Sequence, residues 1–311
     1  MEVRGLGFKG LDRMNIGIIT VRGPDYHPNQ RLCEAAAERG HRVTLVHPYR
    51  VWPSIIEVKH GLVIPPDFEV PDVLMPRQGA TIGNSCLALI QQCRLMGIPV
   101  VNDLEAIRLA KHQYFALMTL VANKIPVPDT FFINAVEGFE AAVDQLGGPP
   151  VVIKQVSGRQ GKGVLLVKTI HEFHQIHTRH LDRRSGLLVQ RFIPPDGRRD
   201  IRILVLGGEI AGAMELTPKT GDFRSNYHIT GESRPAELSS ELKAVALKAS
   251  KTIGLEIAGV DVIVDRRQQN NVIEVNYSPG FKGLEAATGL DVAGRLVDYV
   301  VAAYYKREGG N

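Results

Sequence analysis

Cysteine and long apolar runs are both scarce in this chain, and each scarcity closes off a class of protein. Three cysteines stand among 311 residues, Cys33, Cys86 and Cys93, and so sparse and odd a count argues against a disulfide framework. Cys86 and Cys93 fall on one predicted helix, about 10 Å apart along its axis, which is too far to bridge. All three are expected to fill core space as small apolar side chains. No stretch approaches the ~18 consecutive apolar residues of a membrane span, and no apolar signal core opens the sequence, which points to the cytoplasm. Charge imbalance is small too: 37 Lys and Arg against 33 Asp and Glu leave a net +4. That suits anionic substrates such as nucleotides but lacks the clustered basicity of a nucleic-acid binder.

What is present is an ordinary globular composition, 44% hydrophobic and 23% charged, with length for two or three compact lobes. Residues 1–13 are Gly-rich and aperiodic. They read as a leader ahead of the first strong strand, Asn15–Val21, and are expected to be dispensable. Their Gly5-Leu6-Gly7-Phe8-Lys9-Gly10 matches a dinucleotide fingerprint but precedes a strand instead of following one, so it is read as a decoy. Strands at 42–47, 71–76 and 100–101 alternate with helices at 29–39 and 82–96, the pattern of a small parallel α/β lobe. From residue 104 the rhythm changes. Helical stretches over 104–123 are broken by Pro126 and Pro128. Paired strands with helices on one side follow, which reads as α+β.

Three segments carry candidate chemistry. Strand Val151–Lys154 runs into Ser157-Gly158-Arg159-Gln160-Gly161-Lys162-Gly163, a glycine-rich hairpin whose N–H groups can approach phosphate oxygens. An inward Lys154 at the end of an apolar strand calls for an anion. In the last strand pair, period-two alternation puts Glu274 and Asn276 on one face, and Asp261 lies on the neighbouring strand. Carboxylates buried together need positive charge, and oxygen ligands without His or Cys select magnesium or manganese. A buried ion-pair network with Arg or Lys is the competing reading. In the polar loop, Gly221-Asp222-Phe223-Arg224-Ser225-Asn226 offers an arginine suited to phosphate or carboxylate, with a solvated turn as its alternative. Four histidines, His171, His174, His177 and His180, drift around their helix and read as a solvated surface.

Taken with Asp200-Ile201-Arg202 and Glu274-Val275-Asn276-Tyr277-Ser278-Pro279-Gly280, these motifs resemble the RimK branch of the ATP-grasp superfamily, in order and spacing from Met14 onward. The resemblance implies a fold of mixed class, α/β and α+β: an N-terminal parallel α/β (pre-ATP-grasp) lobe over 14–104 and two α+β subdomains, 105–186 and 187–311, clamping ATP. It implies an ADP-forming ligase that adds an amino acid, usually glutamate, to a carboxylate acceptor such as a protein C-terminus or a small molecule. The cofactors implied are ATP and two Mg2+ or Mn2+ ions, and a homo-oligomer is expected. Lys154 would hold phosphates under the hairpin of Gly158, Gly161 and Gly163. Gln190, Arg191, Phe192 and Ile193 would be the hinge against adenine, with Asp200 near the ribose. Arg224, Ser225 and Asn226 would face the transferred phosphate, and Asp261, Glu274 and Asn276 would bind metal.

The implied mechanism is phosphorylation of a carboxylate followed by amine attack, with Arg202 or Arg224 stabilising the oxyanion. One departure from the family pattern stands out: Gln113 occupies the place of a lysine, and Lys111, about 200° away around a continuous helix, is expected to be a poor substitute. A nucleotide-binding regulator of weakened catalysis, motivated by Gln113, and a peptide ligase of other specificity remain the alternatives.

Overall fold

The computed structural model of the chain describes residues 13–66, 68–79, 82–159, 162–218, 222–224 and 232–308, without the side chains of 157–159, 162 and 308. The decoy glycine motif and Gly161, Ser225 and Asn226 lie outside the described residues. Among the described residues no helix is long and apolar enough to cross a membrane.

The N-terminal lobe is built on β1 (Asn15–Ile19), whose residues are all buried and which lies between two parallel neighbours, β2 (Arg42–Val46) and a strand at Val73–Pro76. A strand buried on both faces needs cover on both sides, and parallel strands need crossover helices. These are α1 (His27–Glu38) and α2 (Asn84–Leu95). Between β2 and the Val73 strand the chain makes a hairpin, β3 (Trp52–Ile56) and β4 (Lys59–Val63), so the Val73 strand is β5. Segment 100–101 contributes an isolated bridge from Val100 to Leu74. Cys86 and Cys93 are core residues as expected, but Cys33 is only half-buried, because the inner face of α1 falls on Leu32, Ala35 and Ala36.

Two antiparallel sheets follow. After α3 (Leu104–Lys111) and α4 (Gln113–Ala122), β6 (Thr130–Ile133), β7 (Val151–Arg159), β8 (Lys162–Val167) and β9 (Leu187–Arg191) form a sheet in the order β6-β9-β7-β8. Helices α5 (Glu137–Gln145) and α6 (Ile170–His180) cover it, and Phe139 of α5 stacks on Phe173 of α6 with ring centroids 3.6 Å apart. The second sheet runs β12-β11-β10-β13-β14, from β10 (Arg199–Leu206), β11 (Glu209–Leu216), β12 (Ser233–Pro235), β13 (Ile257–Val264) and β14 (Asn270–Asn276). Its helices are α7 (Ser240–Ile253), α8 (Lys282–Thr288) and α9 (Val292–Glu308).

The N-terminal lobe shares its core with the second sheet. One apolar cluster joins Leu89, Leu104 and Ile107 to Ile203, Val260 and Val275, and another joins Ile16, Leu32 and Val73 to Leu204, Leu296 and Val300. Buried Asn102 bonds this junction. Its Nδ2 donates to the Ile257 and Tyr277 carbonyls at 2.7 and 3.0 Å, and its Oδ1 accepts from the Glu256 and Ile257 N–H groups, both at 2.7 Å. Every hydrogen-bonding position of the amide faces a partner, which keeps so polar a group affordable in a core.

Candidate active site

A cavity of about 350 Å³ opens between the two antiparallel sheets and reaches the C-terminal edge of the N-terminal lobe's strands. On β7, Val151 and Ile153 enter the small-sheet core, whereas Val152, Lys154 and Val156 line the cavity, as period-two alternation requires. Lys154 is 8% exposed. Burial pushes its ammonium from the ordinary 10.5 down to about 8; Glu274 and Asp261 pull the other way and Arg198 adds to the lowering. The hairpin beyond it closes on Gly163, whose φ is +80° and where an added Cβ would lie 2.9 Å from the Gln155 Oε1. A non-glycine residue there meets both backbone strain and a clash.

The facing wall is a row across the second sheet. Arg202 pairs with Asp261 across β10 and β13, and Asp261 pairs with Glu274 across β13 and β14. Arg202 clasps Asp261 with two hydrogen bonds, Nε to Oδ1 at 2.7 Å and Nη2 to Oδ2 at 2.6 Å. Burial opposes the guanidinium charge, but the Asp261 charge and hydrogen bonds and the Glu274 charge outweigh it and raise the pKa of Arg202. A bulge at this point, where β13 continues from Asp261↔Glu274 to Val262↔Val272, bends the strand as bulges beside sites do. Glu274 is accessible from the cavity yet deep in the cleft. Burial and then the Asp261 charge hold its carboxyl above the ordinary range, against Arg202 and Lys154. Asn276 lines the same wall, its Oδ1 accepting from the Ser278 N–H at 2.8 Å. Among the described residues no three His, Cys, Asp or Glu side chains gather as a metal cluster. The donors are two carboxylates and one amide, one carboxylate already shared with Arg202. Hard oxygens and a carboxyl driven toward protonation fit a divalent oxygen-seeking cation.

The remaining expected residues divide. Gln190 is buried and donates to the Thr130 Oγ1 at 2.8 Å. Arg191 turns its guanidinium to Asp129, with Nε to Oδ2 at 2.8 Å, so only part of it borders the cavity. Phe192 meets Phe223 edge-on at 5.9 Å, and both line the cavity with Ile193, Asp200 and Arg224. Arg224 pairs with Asp222, Nη2 to Oδ2 at 2.8 Å. The histidines of α6 do not converge: His174 pairs with Glu140 at 3.1 Å and His171 with Gln175 at 3.0 Å.

Arg198 was missed from sequence. It donates to Asp200 at 2.9 Å and to the backbone carbonyls of Ile193 and Phe223, so it ties Ile193, the Asp200 carboxylate and Phe223 together. The helix taken as continuous from Lys111 to Gln113 is corrected as well. His112 is extended at φ −96°, ψ 96° and separates α3 from α4. With the helix interrupted, both Lys111 and Gln113 line the cavity, so the 200° separation argued for a continuous helix does not hold.

Two antiparallel jaws, one offering a lysine and a glycine hairpin, the other a row of Arg202, Asp261 and Glu274, make up an ATP-grasp fold with an N-terminal α/β lobe behind it. Residues 14–107 match the RimK PreATP-grasp domain and residues 110–300 the RimK-like ATP-grasp domain. The chain belongs to the RimK-like ATP-grasp family and is an ATP-dependent ligase. A protein of Teredinibacter turnerae named probable alpha-L-glutamate ligase is 37% identical over 289 residues, covering 92% of this chain and 95% of its own. Its namesake from Thioalkalivibrio sulfidiphilus is 34% identical over 290 residues, with the same coverage. The crystal structure of a RimK domain ATP-grasp protein from Sphaerobacter thermophilus superposes with a TM-score of 0.72 at 26% identity, over 92% of this chain and 99% of that one. The ATP-grasp ligase PsnB, complexed with minimal precursor, Mg and ADP, shares the fold at a TM-score of 0.70 and 19% identity, over 93% and 97%.

Proposed function

We propose that this chain joins L-glutamate, as the amine, to a carboxylate acceptor through an acyl-phosphate. The observation that carries the reading is the convergence of Lys154 with Asp261 and Glu274 on one cavity from two different sheets. Within it, residues 14–104 form the N-terminal lobe, 105–186 the jaw with the hairpin and 187–311 the jaw with the acidic row. The curated relatives named alpha-L-glutamate ligase support the choice of amine. Lys111 at the cavity wall weakens the regulator alternative, because a cation stands near the place that Gln113 leaves neutral.

An acceptor carboxylate oxygen attacks the γ-phosphorus of ATP; the bond to the β-phosphate oxygen breaks and ADP leaves. The amine of the amino acid then attacks the acyl carbon, phosphate departs with the electrons of the carbon–oxygen bond, and the amine loses a proton. Lys154 holds phosphate oxygens, and Gly158, Gly161 and Gly163 let the hairpin lie over them. Gln190, Arg191, Phe192 and Ile193 border the base, with Asp200 toward the ribose. Arg202 and Arg224, with Ser225 and Asn226, meet the charge that develops on the transferred phosphate and the tetrahedral oxygen. Asp261, Glu274 and Asn276 would hold magnesium, as two ions with manganese able to substitute, and bound metal supplies neutralisation of phosphate charge.

The test is ADP release with MgATP, L-glutamate and a panel of carboxylates, with hydroxylamine replacing the amine to trap the acyl-phosphate as a hydroxamate. Carboxylate-dependent hydroxamate is the expected result. Glu274→Gln should lower kcat at least about a hundredfold with the fold intact by circular dichroism. Near-normal turnover in that variant would overturn the metal role of Glu274.

A further inference from the structure

Asp261 and Glu274 are aimed by the sheet that carries them. They face each other in the register of β13 and β14, and Arg202 holds Asp261 from the next strand. Asn276 stands differently. It is the last residue of β14, and its cross-strand partner is Gly259, which has no side chain to steady it. Its Oδ1 takes the Ser278 N–H at 2.8 Å, so the direction of that oxygen follows the turn over 276–280.

The chain keeps alternating through this turn. Asn276, Ser278 and Gly280 line the cavity, whereas Tyr277 and Pro279 are buried. The buried pair is fastened to the N-terminal lobe. The Tyr277 hydroxyl donates to the Gly79 carbonyl, which also accepts from the Ile82 N–H at 2.9 Å. The Tyr277 carbonyl accepts from the Asn102 Nδ2 at 3.0 Å, and the Pro279 carbonyl from the Arg77 Nη2 at 2.6 Å. The receiving loop is held in its turn: the Arg77 N–H bonds the Ile19 carbonyl at 2.9 Å, and the Gln78 Oε1 accepts from the Val21 N–H at 2.9 Å. From the opposite side the turn rests on β13, where a Cβ added to Gly259 would lie 2.7 Å from the Pro279 Cβ. The Tyr277 ring packs in the apolar cluster that joins the lobe to the second sheet. A phenylalanine ring would fill that space as well; what the hydroxyl adds is a directed bond to one point of the loop.

We propose that Tyr277 is a positioning residue for the bound divalent cation: through its hydroxyl, the N-terminal lobe sets the turn that aims the Asn276 amide oxygen. The inference rests on the reading of Asn276 as a metal ligand. Residues behind a ligand orient it and tune the metal it holds, and here the support comes from a different lobe than the ligand.

The experiment uses the full chain saturated with ADP. Mn2+ is titrated in and the electron paramagnetic resonance signal of the free ion is followed, with ADP alone as the blank. Tyr277→Phe should bind Mn2+ about tenfold more weakly. Mg2+ affinity, read by displacement of Mn2+, should fall further, because Mg2+ demands near-ideal octahedral geometry. The Asn276→Ala background separates positioning from general support. With the amide gone nothing is left to aim, so adding Tyr277→Phe to Asn276→Ala should change Mn2+ affinity by less than about twofold. Gly259→Ala presses on Pro279 from the other side. It should show the same loss and the same dependence on Asn276, and it carries the test if circular dichroism shows that Tyr277→Phe does not fold. Unchanged Mn2+ affinity in folded Tyr277→Phe overturns the proposal. So does an equal loss with and without the Asn276 amide, which would make the hydroxyl a support of the fold at large. If Asn276→Ala alone binds Mn2+ as the wild type does, the metal role of Asn276 fails and takes the proposal with it. A loss in Asn276→Ala with none in Tyr277→Phe leaves that role standing and removes only the positioning.

Discussion

At the residue scale, burial of the Lys154 ammonium carries an electrostatic cost, and that cost has a pH signature. Unfolded, its ammonium titrates near the ordinary 10.5; folded, near 8. Below the folded value both states carry the proton, and the fold bears the whole penalty of a buried charge, about 3 kcal/mol as an order of magnitude. Between the two values the unfolded chain holds a proton that the folded chain has released, so stability rises with pH. Lys154→Met should therefore be more stable than wild type near neutrality, and the gap should shrink as pH approaches ~10. Wild-type affinity for MgATP should fall over the same range as the ammonium is lost. Urea denaturation of both proteins across that range checks the first point, and a gap that does not change with pH would remove burial as the cause. Lys154, Asp261 and Glu274 were legible in sequence because a charged residue in an apolar strand is conspicuous and alternation fixes its face. Arg198 was not: two of its partners, Asp200 and Ile193, are near in sequence, but nothing local marks an arginine after a turn as buried, and the Phe223 carbonyl that completes its set is 25 residues away.

Elements show the same division. The parallel strands, the paired strands of both jaws and the long helix 240–253 follow from periodicity and from caps such as Ser239, whose hydroxyl accepts from the Leu242 N–H at 3.2 Å. The break at His112 does not, since no glycine or proline announces it; the His112 ring caps the new helix by accepting from the Phe115 N–H at 3.3 Å and stacks on the Phe115 ring. The hairpin of β3 and β4 was hidden for a related reason. Its two turn residues, Glu57 and Val58, both have positive φ, 49° and 64°. That is the requirement of the tightest hairpin turns, which Asn-Gly normally meets. A β-branched residue there is costly, by roughly 1–2 kcal/mol. Replacing the pair with Asn-Gly should stabilise the protein by about 0.5–1 kcal/mol, after the extra freedom of glycine in the unfolded chain is deducted. Thermal melts would show it, and a destabilised double variant would mean that the turn is held by something other than its own backbone preference.

For the whole molecule, the distribution of core sets how the parts depend on one another. The small sheet has an apolar cluster of its own, in which Phe139, Val151, Ile153, Phe173, Leu187 and Val189 all come from the same stretch of chain. The N-terminal lobe has no such independence: its buried residues belong to clusters shared with β10, β13 and α9, and Asn102 adds its hydrogen bonds across the same junction. Opening the small sheet therefore exposes its own cluster and only Val156 and Leu188 of the larger ones, whereas opening β13 breaks both larger clusters and orphans the Asn102 partners. Local stability follows buried apolar contact, so amide hydrogens of β7 and β9 should exchange through openings of lower free energy than those of β10 and β13. Saturating MgATP should change this. The proposed site takes Lys154 from the small sheet and Asp261 and Glu274 from the large one, so opening either sheet expels the nucleotide. At a hundredfold excess over Kd, ligand linkage adds about 2.7 kcal/mol to any opening that destroys the site. Hydrogen exchange read by mass spectrometry should then show protection gained in both sheets together, by similar amounts, with α5 and α6 rising alongside β7. Protection gained by the small sheet alone would place the nucleotide on Lys154 without engagement of the acidic row, and would refute the two-sheet site while leaving the fold as described.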